Sequence, residues 1–215
     1  MFLKIKKIPV VPWSSDKPLN FKPKISTFFF LCFGLALFGL GEGLLIVSAS
    51  GASPWSVLAQ GISSKSGFSV GLITFIISVS VLIFWIPLNQ KPGIGTILNA
   101  LIIAFMIDIC IRYFPSPENF LSQTLLGAMA VLLTGLGGGI YLIANLGAGP
   151  RDGLMVGLQI KTNFPIAAVR AIIEITVVFV GWYLGGTVGV GTLLFAFGIG
   201  PCVALGLFLV NKTFN

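Results

Sequence analysis

The chain has 215 residues, of which 56% are hydrophobic and only 9% charged, against about 25% charged in an ordinary soluble domain. Its 13 basic and 6 acidic side chains cannot cover a soluble surface, which excludes a cytosolic globular enzyme and a disordered chain. The mean hydropathy of +1.03 and the 27 glycines describe an all-α integral membrane protein.

The net charge of +7 is concentrated at the start of the chain. Lys4, Lys6, Lys7, Lys17, Lys22 and Lys24 lie in residues 1–25 with Pro9, Pro12, Pro18 and Pro23. Prolines at that density prevent a continuous helix. The segment reads as an extended cytoplasmic arm, explained by positive-inside topology and able to rest on anionic headgroups of the bilayer. No basic face interleaved with aromatics occurs elsewhere, so nucleic acid is not an expected partner.

Six apolar runs follow, at 26–48, 69–88, 94–114, 121–146, 165–184 and 190–210. Each is long enough as a helix to cross roughly 30 Å of hydrocarbon. The first is too long for a signal-peptide core and reads as a retained anchor. Two shorter, more polar segments, 51–66 and 147–163, interrupt the series. They align with each other at an offset of 96, and in that register residues 37–103 match 133–199 at 22 of 67 positions. The organisation is therefore the arm 1–25, a first repeat 26–114, a linker 115–120, a second repeat 121–210 and a cytoplasmic tail 211–215.

If the short segments do not cross, each repeat has three spans and the second copy is inverted relative to the first. If they do cross, there are eight spans and the copies are parallel. Both arrangements satisfy the charge rule with the termini inside. Length favours six, since Pro54 to Gly67 would span only about 21 Å as a helix. The expected fold is six transmembrane helices in two inverted three-helix repeats, each with a short broken or re-entrant helix.

The repeated G-A-x-P with Leu58 and Leu154 four residues after the prolines, G-x-G-T at 93–96 and 189–192, and LGG at 184–186 carry a resemblance. Over about residues 30–210 the chain resembles the YczE-like family of bacterial multi-pass membrane proteins, and more distantly the YitT type. The resemblance implies a bacterial inner-membrane protein and brings no defined activity with it.

Gly51 and Gly147 end one helix at each break, and Pro54 and Pro150 suit the first turn of the next. A helix that begins inside a membrane protein presents free N–H groups and a positive dipole end, which favour anions. Arg151 and Asp152 occupy that turn in the second copy, where the first has Trp55 and Ser56. The plain structural alternative is an interfacial loop, with Trp55 as a headgroup anchor and Arg151 as a topology charge. Glu42, Asp108 and Glu174 are carboxylates within spans, where charge is costly and usually functional. Arg112 stands four residues after Asp108 and Arg170 four before Glu174, so each of those two can be neutralised on its own helix, whereas Glu42 has no local partner. Asn99 and Asn145 need polar partners, expected to be other helices. Gly39 and Gly43, with Gly135 and Gly139, form GxxxG pairs expected to join the first span to the fourth. Pro201 is expected to kink the last span.

There is no histidine, and Cys32, Cys110 and Cys202 all lie inside apolar runs. Metal, cofactor and nucleophile–base chemistry are not expected. The leading expectation is a secondary permease or channel for a small anionic or zwitterionic solute. The alternative is a non-transporting scaffold or assembly factor for a cytoplasmic enzyme. In either role the expected partners besides lipid are a second copy of the chain or another protein.

Overall fold

A computed structural model describes residues 8–215; Lys4, Lys6 and Lys7 of the basic arm lie outside the described residues. Eight helices follow one another, and the described residues contain no strand: α1 (Ile25–Val47), α2 (Pro54–Ser66), α3 (Val70–Trp85), α4 (Ile94–Tyr113), α5 (Phe120–Ala144), α6 (Pro150–Thr162), α7 (Ile166–Tyr183) and α8 (Val190–Phe214). Backbone groups in hydrocarbon must be satisfied within their own segment, so apolar runs of this length become helices. Their ends carry local signals. The Ser69 hydroxyl accepts from Leu72 N–H at 3.2 Å, and the Asn119 side-chain Oδ1 accepts from Ser122 N–H at 2.8 Å. Pro54 and Pro150 are the first residues of α2 and α6. Gly51 at φ 129° and Gly147 at φ 115° make the preceding turns in a region that L side chains rarely adopt.

Five helices, α1, α4, α5, α7 and α8, are long and apolar enough to cross a membrane. The α2–α3 pair, bent by 116° at its break, makes a sixth if counted as one span. The chain is thus a multi-pass α-helical membrane protein. α3 is shorter than the apolar run 69–88, because the chain turns after Trp85, whose carbonyl accepts from both Leu88 and Gln90 N–H at 3.1 Å. Pro201 lies inside an unbroken α8.

α1, α4, α5 and α8 form the centre, with α1 lying along α5. The short helices pack on the opposite half: α2 on α7, and α6 on α3. Several contacts recur with both partners shifted by 96 residues. Gly95 N–H donates to the Leu146 carbonyl, and Gly191 N–H to the Ser50 carbonyl, each at 2.8 Å. A Cβ on Gly61 would meet Leu184 at 2.8 Å, and one on Gly157 would meet Leu88 at 2.9 Å.

The glycine pairs are used differently from the expectation. Gly39 and Gly43 abut Met106, Ile103 and Cys110 of α4, and Gly135 and Gly139 abut Cys202 and Leu207 of α8. The α1–α5 crossing instead runs through Gly34, Gly41 and Gly137, which sit against Tyr141, Thr134 and Phe38. Gly41 and Gly137 lie between the members of each GxxxG pair, and residues two apart on a helix face different neighbours.

The described part of the arm is not simply laid on lipid. Val11, Trp13, Ser14 and Ser15 are buried. Trp13 stacks on Phe30 with ring centroids 4.5 Å apart, and its carbonyl accepts from the Thr27 hydroxyl at 2.5 Å. Ser15 N–H donates to the Ala144 carbonyl at 3.1 Å. The docking clusters apolar residues of the arm with α1 and α5, while Lys17, Lys22 and Lys24 stay exposed.

Candidate functional site

A cavity of about 300 Å³ lies where the starts of α2 and α6 meet α1, α5, α7 and α8. Its polar lining is Glu42, Ser53, Tyr141, Arg151, Asp152, Arg170 and Glu174, and its apolar wall includes Phe38, Trp55, Met155 and Phe195. Glu42, on α1, is 1% exposed. Its Oε2 accepts from the Ser53 and Ser56 hydroxyls, both at 2.6 Å. Its Oε1 is buried with no hydrogen-bond partner among the described residues. Leaving such an oxygen unsatisfied is costly, and this one lies beside a cavity large enough to hold a partner for it.

Arg151 and Asp152 reach the site because Pro150 starts α6 there. The Arg151 guanidinium lies over the Trp55 ring, 5.4 Å from its centroid. This cation–π contact holds the charge without consuming its hydrogen bonds. Asp152 accepts from the Tyr141 hydroxyl at 2.8 Å. Trp55 is 7% exposed, so it packs inside the protein rather than anchoring a loop among headgroups. Arg170 Nε donates to Glu174 Oε1 at 2.8 Å, the one salt bridge among the described residues. A smaller cavity of about 60 Å³ adjoins, lined by Thr74, Ser78, Asn99, Tyr141, Arg151 and Asp152.

The structure therefore brings Glu42, Pro54, Arg151, Asp152, Arg170 and Glu174 together, with Asn99 alongside. Pro150 belongs to the same corner, its carbonyl accepting from Trp85 Nε1–H at 2.9 Å. Gly51 and Gly147 contact the G-x-G-T turn of the other half, Thr192 and Thr96 respectively at 2.7 Å from a built Cβ. Two candidates fall elsewhere. Asn145 caps α5 in the left-handed conformation and donates through Nδ2 to the Ser15 carbonyl at 2.8 Å, so it anchors the arm. Asp108 forms no pair with Arg112, which lies over Tyr113 instead. It accepts from the Ser69 hydroxyl at 2.6 Å and Gly71 N–H at 2.7 Å, clamping the start of α3 to α4. Asp108→Ala should lower thermal stability in detergent by about 2 kcal/mol, the range for hydrogen bonds to a charged group, without changing solute binding.

Ser53, Ser56 and Tyr141 were not singled out by the sequence, although a signal for them was present. Among the positions at which the two halves differ in polarity at an offset of 96 are Glu42/Gly138, Leu45/Tyr141, Ser53/Gly149, Trp55/Arg151, Ser56/Asp152, Thr74/Arg170 and Ser78/Glu174. Every one of these pairs has a member that lines one of the two cavities.

Comparison with known proteins supports the membrane class and gives no chemistry. The chain is 39% identical over 209 residues to an "Uncharacterized protein" of Haemophilus influenzae, covering 97% of this chain and 95% of the relative. It is 34% identical to the "Uncharacterized membrane protein YczE" of Bacillus subtilis, covering 79% of each. It is 29% identical to the "Uncharacterized protein YyaS" of the same organism, over 75% of this chain and 82% of that one. No solved structure matches. With residues 25–207 matched, the chain belongs to the family of unknown function DUF6198, and its similarity to YczE agrees with the resemblance its motifs carry.

Proposed function

We propose that this protein is a permease or channel for a small zwitterionic or anionic solute in the bacterial inner membrane, and not an enzyme. The observation that carries the reading is the free Oε1 of buried Glu42 in a cavity it shares with Arg151 and Asp152 at the starts of two broken helices. Two cations and three carboxylates line this cavity, one negative charge in excess when all are ionised. The starts of α2 and α6 each add roughly half a positive charge. A site so balanced suits a solute carrying both signs, with its anionic end at Arg151 and its cationic end at Glu42.

The recurring contacts at an offset of 96 support two copies of one unit, each lending its short helix to the other half. With α2 and α6 re-entrant, three spans per copy invert the second against the first, and both termini lie in the cytoplasm. Lys17, Lys22 and Lys24 then face anionic headgroups. Accessibility tags should report Lys91 as cytoplasmic and Ser116 as external; the reverse pattern means eight spans and parallel copies.

Uptake of labelled amino acids and betaines into proteoliposomes tests the transport reading. The wild-type chain should take up at least one of them, and Glu42→Gln should abolish that uptake. Equal uptake by both would remove Glu42 from the mechanism, and no uptake across the panel would favour a scaffold role.

A further inference from the structure

We infer that the solute of the central cavity is an amphiphile, with a zwitterionic head bound among Glu42, Arg151 and Asp152 and an alkyl chain lying between α7 and α8. The inference rests on the cavity being the binding site, and it names the class of molecule held there.

α3 and α4 pack together along the first half, whereas their counterparts α7 and α8 scarcely meet. The cause is legible in the side chains. In the first half, Asp108 clamps Ser69 and the backbone of Gly71, and Gly71 lets α3 rest directly on the Ala104 carbonyl of α4. The residues 96 positions on are Ala204, Pro165 and Ala167. Alanine and proline offer neither the carboxylate nor the hydroxyl, and the Ala167 methyl prevents so close an approach. The second half is left open where the first is closed.

The opening is a groove of about 730 Å³, lined by Ile175, Val178, Phe179, Trp182, Ala196 and Phe197 among others. Its wall is almost wholly apolar, suited to hydrocarbon. Pro54 and Glu174 line both this groove and the central cavity, so the two adjoin. A head group alone would fill the cavity and leave this apolar wall unused. A molecule with a charged head and a chain meets matching chemistry at both ends: the free Glu42 oxygen and the Arg151 cation inside, and hydrocarbon outside. The Arg170–Glu174 pair stands beside the junction, with Glu174 lining both sides. The chain can stay in the bilayer while the head is bound.

The experiment is a native mass-spectrometry titration of the full chain, released from nonionic detergent, with a single-chain lysophosphocholine and separately with glycerophosphocholine, the same head without the chain. The lysophosphocholine should bind more tightly. Arg151→Gln should weaken it by about tenfold or more. Ala196→Trp, which fills the groove away from the charged cavity, should weaken lysophosphocholine equally and leave glycerophosphocholine binding unchanged. Ile175→Trp, at an exposed groove position, serves as a second filling variant if the first fails to fold. Equal affinity for the two probes, insensitive to the groove variants, overturns the amphiphile inference and leaves the cavity reading standing. Lysophosphocholine binding insensitive to Arg151→Gln identifies an ordinary surface lipid and also overturns it. Binding of neither probe, together with failure of the amino acid and betaine panel, overturns the cavity reading itself.

Discussion

Arg151→Gln should reduce solute uptake by at least a hundredfold while leaving a folded protein. The guanidinium is the cation at the start of α6 and is held over Trp55, 5.4 Å from the ring centroid. Two of the carboxylates that share its cavity, Glu42 and Asp152, also lose a compensating charge when it is removed. Removing one partner of a buried, hydrogen-bonded charge pair between a protein and its ligand costs about 2–5 kcal/mol of binding, and each 1.4 kcal/mol is about a factor of ten in affinity. Glutamine stays polar but is shorter and has two N–H donors where the guanidinium has five, so the substitution removes the charge together with its bidentate donor geometry. Proteoliposome uptake at several solute concentrations, compared with detergent stability of the same sample, checks this. Undiminished uptake would place the anionic end of the solute elsewhere.

Gly137→Leu should largely abolish folded protein. A Cβ there would meet the backbone of Phe38 and, at 2.6 Å, the Gly34 carbonyl oxygen. Gly41 stands in the matching place, with Thr134 N at 2.5 Å and the Ala130 carbonyl at 2.7 Å. Both neighbours are backbone in rigid helices, so neither can swing aside, and the central α1–α5 contact must open. Overpacking ordinarily costs about 1–3 kcal/mol, and a crossing of two backbones belongs at or above that upper end. Gly200→Ala is the control: nothing lies within 4 Å of a Cβ built there, and alanine in a helix is favoured over glycine by about 1 kcal/mol. The monodisperse fraction on size exclusion and the melting temperature should collapse for Gly137→Leu and hold for Gly200→Ala. Equal melting of Gly137→Leu and the unaltered chain would show that α1 and α5 are free to separate.

Much of this was legible in the sequence because it follows from local rules. The low charge and the long apolar runs require membrane helices. The glycine turn and proline start at 51–54 and 147–150 place the breaks, because they answer to backbone conformation alone. Glu42 could be singled out because it lacks an ion-pair partner one turn away.

The packing partners were a different matter. A helix surrounded by lipid is apolar on every side, so no periodicity marks which face meets a neighbour. Gly39, Gly41 and Gly43 look alike in sequence, yet only the tertiary structure sends Gly41 to α5 and the others to α4. For the same reason the sequence could not show Asp108 reaching Ser69, Asn145 reaching Ser15, or Trp13 leaving the arm to stack on Phe30. These contacts span from 17 to 130 residues of chain. By itself the sequence determined the class of the protein, the position of its helices and breaks, and the matching segments at an offset of 96. Tertiary structure alone decided which matching positions face one another, that Glu42, Arg151 and Asp152 share a cavity, and that α7 and α8 stand apart. The physical reason is that composition and turn chemistry act within a few residues, whereas burial, charge compensation and helix approach depend on atoms the chain brings together only when folded.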